Sequence, residues 1–402
     1  MITLLVGTLV GVALGTVSGL VPGVHVNTLS GLLISMQLLL LPLFGAEGLA
    51  MAMVAALVTH AFLDTIPSTF LGVPDADTAL AVLPAHALCL EGKGEEAVRI
   101  SALGSALGVA TSIPLAIVFF FIFPPLQPLL DWGIGIVLIA VMGYLIVTSD
   151  APAWSMGVFF VSGLLGIFSL KFSYLGWNLS GGSSILMPLL SGLFGVSVLL
   201  FATSSKPPSQ KFSAITMDWS SIKRGTALGT LAGAIVGWLP GLSNATANAF
   251  LASLLNLTTD RRSYLLATSA ANTANAFLGI AAFYAISRER NGVMAAIATI
   301  SPPPMADLLA AGVVASLIAY VLTVRIAGIA PHLHHLGGRT TNLAVVLFVT
   351  ALSLILCGPF GLCILLLATL TGIVPALVNI PRITCMGAIT LPVILYSFGI
   401  AL

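Results

Sequence analysis

The 402-residue sequence predicts an all-α polytopic membrane protein made of two inverted-topology repeats, with broken helices and re-entrant hairpins. Three observations predict it. Hydrophobic residues make up 58% of the chain and charged residues only 7%, against about 25% charged in an average soluble domain, so the chain cannot cover itself with water-compatible surface. Apolar runs of membrane-crossing length recur from end to end, and backbone in lipid must satisfy its own hydrogen bonds, which selects helices; the short alternating segments of a β-barrel are absent. Finally, GTLVGVALGTVSGLVPGVHVNT (7–28) recurs in register, 218 residues later, as GTALGTLAGAIVGWLPGLSNAT (225–246).

Taken in order, the crossing segments of the first half are 2–21, 26–44, 49–72, 99–123, 133–149, 153–170 and 184–203. Those of the second are 224–240, 244–257, 264–286, 293–301, 305–327, 341–357, 359–378 and 384–402. Segment 2–21 has no basic start and no cleavage site after it, and reads as a retained helix. The organisation is then a first repeat over 1–205 with a membrane hairpin and scaffold helices, a cytoplasmic linker with an amphipathic helix over 206–224, and a second, inverted repeat over 225–402.

Basic residues cluster at Lys206, Lys211, Lys223 and Arg224, at Arg261 and Arg262, and around Arg325 and Arg339. Placing these in the cytoplasm puts the N-terminus outside a multi-pass protein of the cell membrane. The two Gly-ridged helices then enter from opposite sides, as in many secondary transporters. Arg288 and Arg290 fall outside in this count, and no Lys or Arg is expected within the core.

The loops carry helix-start signals at Asp150 before Pro152, at Asp218 and at Asp260. Glu95 precedes Arg99 by one helical turn in the Glu91–Glu96 connection. Cys89, Cys357, Cys363 and Cys385 lack CxxC spacing and read as small buried hydrophobes. His332–Arg339 has no Cys or carboxylate partner and reads as a loop, so no metal site is expected. A net charge of +1 argues against nucleic acid as a partner. With no nucleophile and base arrangement and no phosphate loop, neither an enzyme nor an ATP-driven pump is supported.

The chemistry concentrates at the breaks. Pro22 with Gly23, and Pro240 with Gly241, should end their helices at membrane depth. Just beyond stand His25, Asn27 and Thr28 in one half and Ser243, Asn244, Thr246 and Asn248 in the other. New helix starts there would offer amides and hydroxyls to an anion, and the freed carbonyls would suit a sodium ion, the one cofactor in view. The Gly ridges themselves read as packing faces.

A second pair of polar stretches follows, Thr59–His86 and Thr268–Ala282, sharing Phe-Leu-Gly at 70–72 and 277–279. The first carries His60, Asp64, Thr65, Ser68 and Thr69; the second carries Asn272, Thr273 and Asn275. Asp64 stands in an uncharged apolar context, where an ionisable group marks function by default. His60, one turn earlier, shares its helix face, so the pair is read with Thr65 as the ion-coupling group. The competing reading makes Asp64 a cap for a helix near Pro67. Asp75 and Asp77 read as caps of the following helix.

These stretches, with STFLGVPDADTALAVLPAHALCLEGKGEEAVRISALGSALG, SGLLGIFSL, LMPLLSGLFGVS and GAIVGWLPGLSNATANAF, resemble the large membrane subunit of tripartite tricarboxylate transporters, the TctA family. The resemblance implies a cation-coupled secondary transporter for a di- or tricarboxylate, working by alternating access around a central site. It also implies a small membrane subunit and an extracytoplasmic solute-binding protein as partners, and leaves a homodimer open. Departures, such as DADTALAVLPAH in the hairpin and His25 in the first loop, mark a divergent, stand-alone branch. The alternative is a lipid-phosphate translocase, because paired Pro-Gly motifs are similar to those of polyprenyl-phosphate transporters; a phosphate headgroup would then replace the carboxylate.

Overall fold

A computed structural model describes residues 2–21, 26–71, 82–177, 185–201, 208–212, 214–238, 247, 260–329 and 339–400. Among them the regular structure is helical, without strands. Among the described residues six helices are long and apolar enough to cross a membrane. Leu38, Leu43, Phe121, Val147 and Tyr396 are among many large apolar side chains left exposed on the outside. Lipid is the medium that suits such a surface.

The N-terminal run forms α1 (Ile2–Leu20), α2 (Val26–Ser35), α3 (Gln37–Leu63) and α4 (Thr65–Leu71). The expected crossing at 26–44 is therefore divided: α2 stops at Ser35, and within α3 Gly45 adopts φ 65°, which breaks the helix before its buried stretch from Gly48 to Leu63. A left-handed residue here is tolerable because glycine has no Cβ. After α5 (Val82–Leu90), α6 runs from Gly94 to Val147. Its 54 residues would extend about 80 Å, far beyond one ~30 Å bilayer core. Pro124, Pro125 and Pro128 remove helix donors, and the apolar windows fall either side of them, at Gly94–Leu129 and Gly133–Val147, matching the two expected crossings. Then come α7 (Pro152–Lys171), α8 (Leu186–Leu190), a π-helical turn over Ser191–Val196 and α9 (Ser197–Phe201). The C-terminal half holds α10 (Trp219–Trp238), α11 (Arg261–Ile286), α12 (Gly292–Ala298), α13 (Met305–Ile329), α14 (Arg339–Leu377) and α15 (Gly387–Ser397).

Caps explain several boundaries. Asp260 accepts from Arg262 N at the start of α11, and Asn291 accepts from Met294 N at the start of α12. Asp218 accepts from Ser221 N at the start of α10. Asp150 does not play this role: Ala151 is the N-cap of α7, without a side-chain bond, and Pro152 opens the helix. Of the linker expected to carry an amphipathic helix over 206–224, only the part from Trp219 on is helical, as the start of α10; residues 208–212 and 214–218 are not helical. They strap the turn between α5 and α6 instead. Gln210 accepts from Gly94 N and donates to the Cys89 carbonyl, while Thr216 donates to Glu96 through both its amide and its hydroxyl. Glu95 pairs with Arg99 at 2.7 Å. Cys89, Cys357 and Cys385 are buried, whereas Cys363 lies exposed on α14. The histidine-bearing loop from His332 lies outside the described residues, as do Asp75 and Asp77.

The least apolar of the six long helices, α11, is the most enclosed. About 94% of its apolar window is buried, against 28% for the first part of α6 and for α14. A helix carrying Ser269, Asn272, Thr273 and Asn275 is tolerable in a membrane only when protein surrounds it. Its neighbours are α10, α6 and α3. Gly104 and Gly108 of α6 lie against Leu266 and Ala270, and Glu96 joins Arg262, so α6 and α11 run side by side in the same direction. The end of α3 at Leu63 meets Val98, near the start of α6, so α3 runs opposite to both. A second packing region joins α7, the π-helical turn, α14 and α15. Here Gly166 meets Ala388, Gly192 meets Ala368 and Gly372 meets Leu193.

Candidate functional site

Both Gly ridges do what their spacing implies. Gly7, Gly11, Gly15 and Gly19 of α1 lie against Gly48, Ala52, Ala56 and Leu63 of α3. Gly225, Gly229, Gly233 and Gly237 of α10 lie against Ser263, Ala267, Ala271 and Leu278 of α11. Small residues let backbones approach within contact distance. In each half the ridge helix therefore runs parallel to its partner.

This packing fixes which residues correspond. Gly11 meets Ala52 and Ala55, and its repeat partner Gly229 meets Ala267 and Ala270. Phe62-Leu63-Asp64 of α3 is thus equivalent to Phe277-Leu278-Gly279 of α11, and His60 to Asn275. The shared Phe-Leu-Gly at 70–72 is a false register: Phe70 belongs to α4, about two turns beyond Phe62. Phe62 and Phe277 are both fully buried, in the same cluster.

Asp64 lies where the two halves meet. Its side chain is 4% exposed and accepts a hydrogen bond from Asn272 Nδ2 at 3.3 Å. Asn272 stands about 17 Å along α11 from Arg261, near the middle of a helix of 26 residues, about 39 Å long. Asp64 has right-handed helical dihedrals, with its amide on the His60 carbonyl and its own carbonyl accepting from the Ser68 amide. An N-cap residue is usually extended instead, so by its dihedrals Asp64 continues α3 towards α4. His60 is also buried, with Nδ1 3.1 Å from Ser18 Oγ on α1. It faces the first ridge helix, while Asp64 faces α11.

The other expected site residues divide into three groups. Thr65, Ser68 and Thr69 are buried beside Asp64; the Ser68 hydroxyl donates to the Asp64 carbonyl, and the Thr69 carbonyl meets His86 Nδ1 at 2.9 Å. Thr273 donates to the Ser105 carbonyl at 2.9 Å and so holds α11 to α6. Asn275 is 9% exposed, and its Oδ1 has no hydrogen-bond partner among the described residues; the Thr59 and Thr69 hydroxyls share that condition. Buried oxygens of this kind are costly unless a ligand or water meets them. Asn27 and Thr28 fall in the first turn of α2. Pro22, Gly23, His25, Pro240, Gly241, Ser243, Asn244, Thr246 and Asn248 lie outside the described residues.

The sequence reading missed Ser18, a polar residue within the first ridge, and the cations at the end of α10. Arg288 donates to the Trp238 carbonyl at 3.4 Å and pairs with Asp131 of α6. Arg290 donates to the Val236 carbonyl at 2.5 Å. Two carbonyls at the end of the second ridge helix, those of Val236 and Trp238, thus accept from guanidinium groups. Such an arrangement suits the negative end of the helix dipole.

The description "Tripartite tricarboxylate transporter TctA family" matches residues 5–387. The chain is also similar to the uncharacterized protein MJ1079 of Methanocaldococcus jannaschii, 30% identical over 293 residues, or 72% of this chain and 71% of that one. No solved structure matches. With the match extending over nearly the whole helical chain, the protein belongs to the TctA family of tripartite tricarboxylate transporters and is an integral membrane transport component, not an enzyme.

Proposed function

We propose that this chain is the translocating subunit for a small di- or tricarboxylate, driven by sodium ions or protons through alternating access. The observation that carries the reading is the buried Asp64, joined to Asn272 across the boundary between the halves. An ionised carboxylate at the centre of a bilayer costs about 3 kcal/mol on insertion scales, which a purely structural position would avoid. Asp64, with His60 and Thr65 beside it, is the ion-coupling group. The substrate-binding residues are those of the two Pro-Gly motifs together with Asn272 and Asn275 of α11. An inverted relation of the halves is supported by the directions of their helices: α1 is parallel to α3, α10 is parallel to α11, and α3 runs opposite to α11. The protein sits in the cytoplasmic membrane with its N-terminus outside. A small membrane subunit and an extracytoplasmic solute-binding protein complete the assembly, as the family's tripartite description supports.

The test is thermal stabilisation of the purified chain by citrate, succinate and a polyprenyl phosphate, each with and without sodium or at two pH values. A ligand that binds only the native state raises its apparent stability by mass action. Stabilisation by a carboxylate that strengthens with the cation is expected, and should vanish in Asp64→Asn. A response to the lipid phosphate alone would replace this reading by lipid-phosphate translocation.

A further inference from the structure

We propose that Arg382 forms an oxyanion-binding site, taking a carboxylate or phosphate group, in the packing region of α7, α9, α14 and α15. The site is additional to Asp64 and Asn272, and it does not depend on which solute is transported.

Arg99, Arg262 and Arg288 are half-buried, and each meets an acid. Arg99 pairs with Glu95 and Arg288 with Asp131, while Arg262 grips Glu96 through Nε at 2.9 Å and Nη2 at 3.0 Å. Arg382 is half-buried as well, yet its bonds to the protein leave from Nη1 alone, 3.1 Å to Ser197 Oγ and 3.3 Å to the Gly372 carbonyl. Nη1 carries two hydrogens, so both are spent. The Nε–Nη2 edge, with which Arg262 holds a carboxylate, meets no acceptor among the described residues. A guanidinium keeps its charge in such surroundings, and a charge withdrawn from water is costly unless it is paired.

The local structure holds the group in place. Ser197 follows the π-helical turn, and its amide reaches back to the Gly192 carbonyl. Its hydroxyl donates to the Leu193 carbonyl at 2.8 Å; with its one hydrogen used there, the oxygen is left to accept from Arg382. Gly372 of α14 packs against Leu193, which brings the second acceptor beside the first. Asn379, φ 53°, turns the chain back from α14, and Arg382 opens the 3-10 helix Arg382–Met386. Two residues on, the Thr384 carbonyl accepts from Ser162 Oγ of α7 at 3.4 Å. Nη1 is thus anchored, and the opposite edge keeps the two parallel N–H groups that match a carboxylate or a phosphate. Single π-helical turns occur frequently at functional sites.

Gly372 precedes the end of α14 at Leu377 by about 8 Å, and Ser197 precedes the end of α9 at Phe201 by about 6 Å. The guanidinium therefore lies a turn or more inside the ends of two helices. A dissolved anion and a phospholipid headgroup are the two sources of the group it would hold.

The experiment measures citrate and inorganic phosphate binding to the purified full chain in neutral detergent by calorimetry, and thermal stability in nanodiscs of phosphatidylglycerol against phosphatidylcholine. The variants are Arg382→Gln, Arg382→Lys, Ser197→Ala and, as a control, Arg325→Gln, which removes an exposed charge of α13. Arg382→Gln is expected to weaken the bound anion at least tenfold, and Arg382→Lys, which keeps the charge without the fork, should recover part of the loss. Ser197→Ala releases one anchor of Nη1 and should weaken binding severalfold, whereas Arg325→Gln should match wild type. Loss of citrate or phosphate binding identifies a dissolved anion; loss of the phosphatidylglycerol stabilisation alone identifies a headgroup. A lowered melting temperature in Arg382→Gln with all three responses unchanged, or an effect that Arg325→Gln reproduces, would make Arg382 a helix-end anchor only and overturn the proposal. Should Arg382→Gln fail to fold, unchanged responses in both Arg382→Lys and Ser197→Ala would overturn it, as would wild type that responds to none of the three. Citrate binding lost in Asp64→Asn, with all three responses intact in Arg382→Gln, would overturn this site and leave the carboxylate reading standing.

Discussion

Gly15→Ala and Gly233→Ala should destabilise the protein by similar amounts, because the two glycines occupy the same place in the two halves. A Cβ on Gly15 would stand 2.6 Å from the Ala56 carbonyl oxygen and 2.7 Å from Thr59 Cβ. On Gly233 it would stand 2.6 Å from the Ala271 oxygen and 2.8 Å from Ala274 Cβ. Carbon atoms pack best at about 3.5–4.0 Å, so each helix pair must separate by roughly 1 Å. The obstructing atoms are backbone and Cβ, which no rotamer change can move. Overpacking of this kind costs about 1–3 kcal/mol, offset by up to about 1 kcal/mol from replacing a helical glycine, for a net loss near 1–2 kcal/mol. Gly157 of α7 is the control: a Cβ there meets nothing within 4 Å, and Gly157→Ala should be neutral or slightly stabilising. The assay is unfolding in mixed detergent micelles, with each variant compared under one lipid and detergent composition. If Gly15→Ala and Gly233→Ala unfold no earlier than Gly157→Ala, the close ridge packing, and with it the register that equates Asp64 with Gly279, is wrong.

Other expectations rest on single contacts. Asp64→Asn keeps a group able to pair with Asn272, so proteoliposome uptake should fall at least tenfold while size-exclusion behaviour stays normal; uptake retained at wild-type level would remove Asp64 from coupling. Glu96→Gln strips the acid, 1% exposed, that joins Arg262 and Thr216, and should cost about 3 kcal/mol; a much smaller loss should accompany Glu91→Gln, whose pair with Arg261 is exposed. Bonds from Ser220 and Ser221 hold the Asp218 carboxyl well below the usual carboxylate range. Because the folded value is depressed, its stabilisation of the first turn of α10 is complete above the ordinary value, about 4, and is lost as pH falls towards the folded one. Hydrogen exchange of that turn should therefore accelerate only under strongly acidic conditions, and Asp218→Asn should exchange faster at neutral pH with little pH dependence of this origin.

Much of the architecture follows from local pattern. A chain with 7% charged residues has no alternative to a bilayer, and in lipid the backbone has no alternative to helices here, so class and medium need no tertiary information. The two Gly ridges are equally local, since four-residue spacing places glycine on one face whatever lies opposite. Asp64 stood out for the same kind of reason, as an ionisable residue in an apolar run.

What lay opposite was beyond the sequence. The shared Phe-Leu-Gly suggested one alignment of the second pair of helices, and only the contacts of Gly11 and Gly229 replaced it with another. Asn272 reaches Asp64 across 208 residues of chain, and no periodicity encodes which of the polar residues of α11 turns to α3 and which, like Thr273, to α6. Arg288 and Arg290 read as loop charges because their partners, the last carbonyls of α10, are exposed as acceptors only by the end of that helix. The sequence by itself determined the solvent, the helices and the duplication, which depend on neighbours a few residues apart. The tertiary structure decided which buried polar groups meet, because that depends on how distant helices pack.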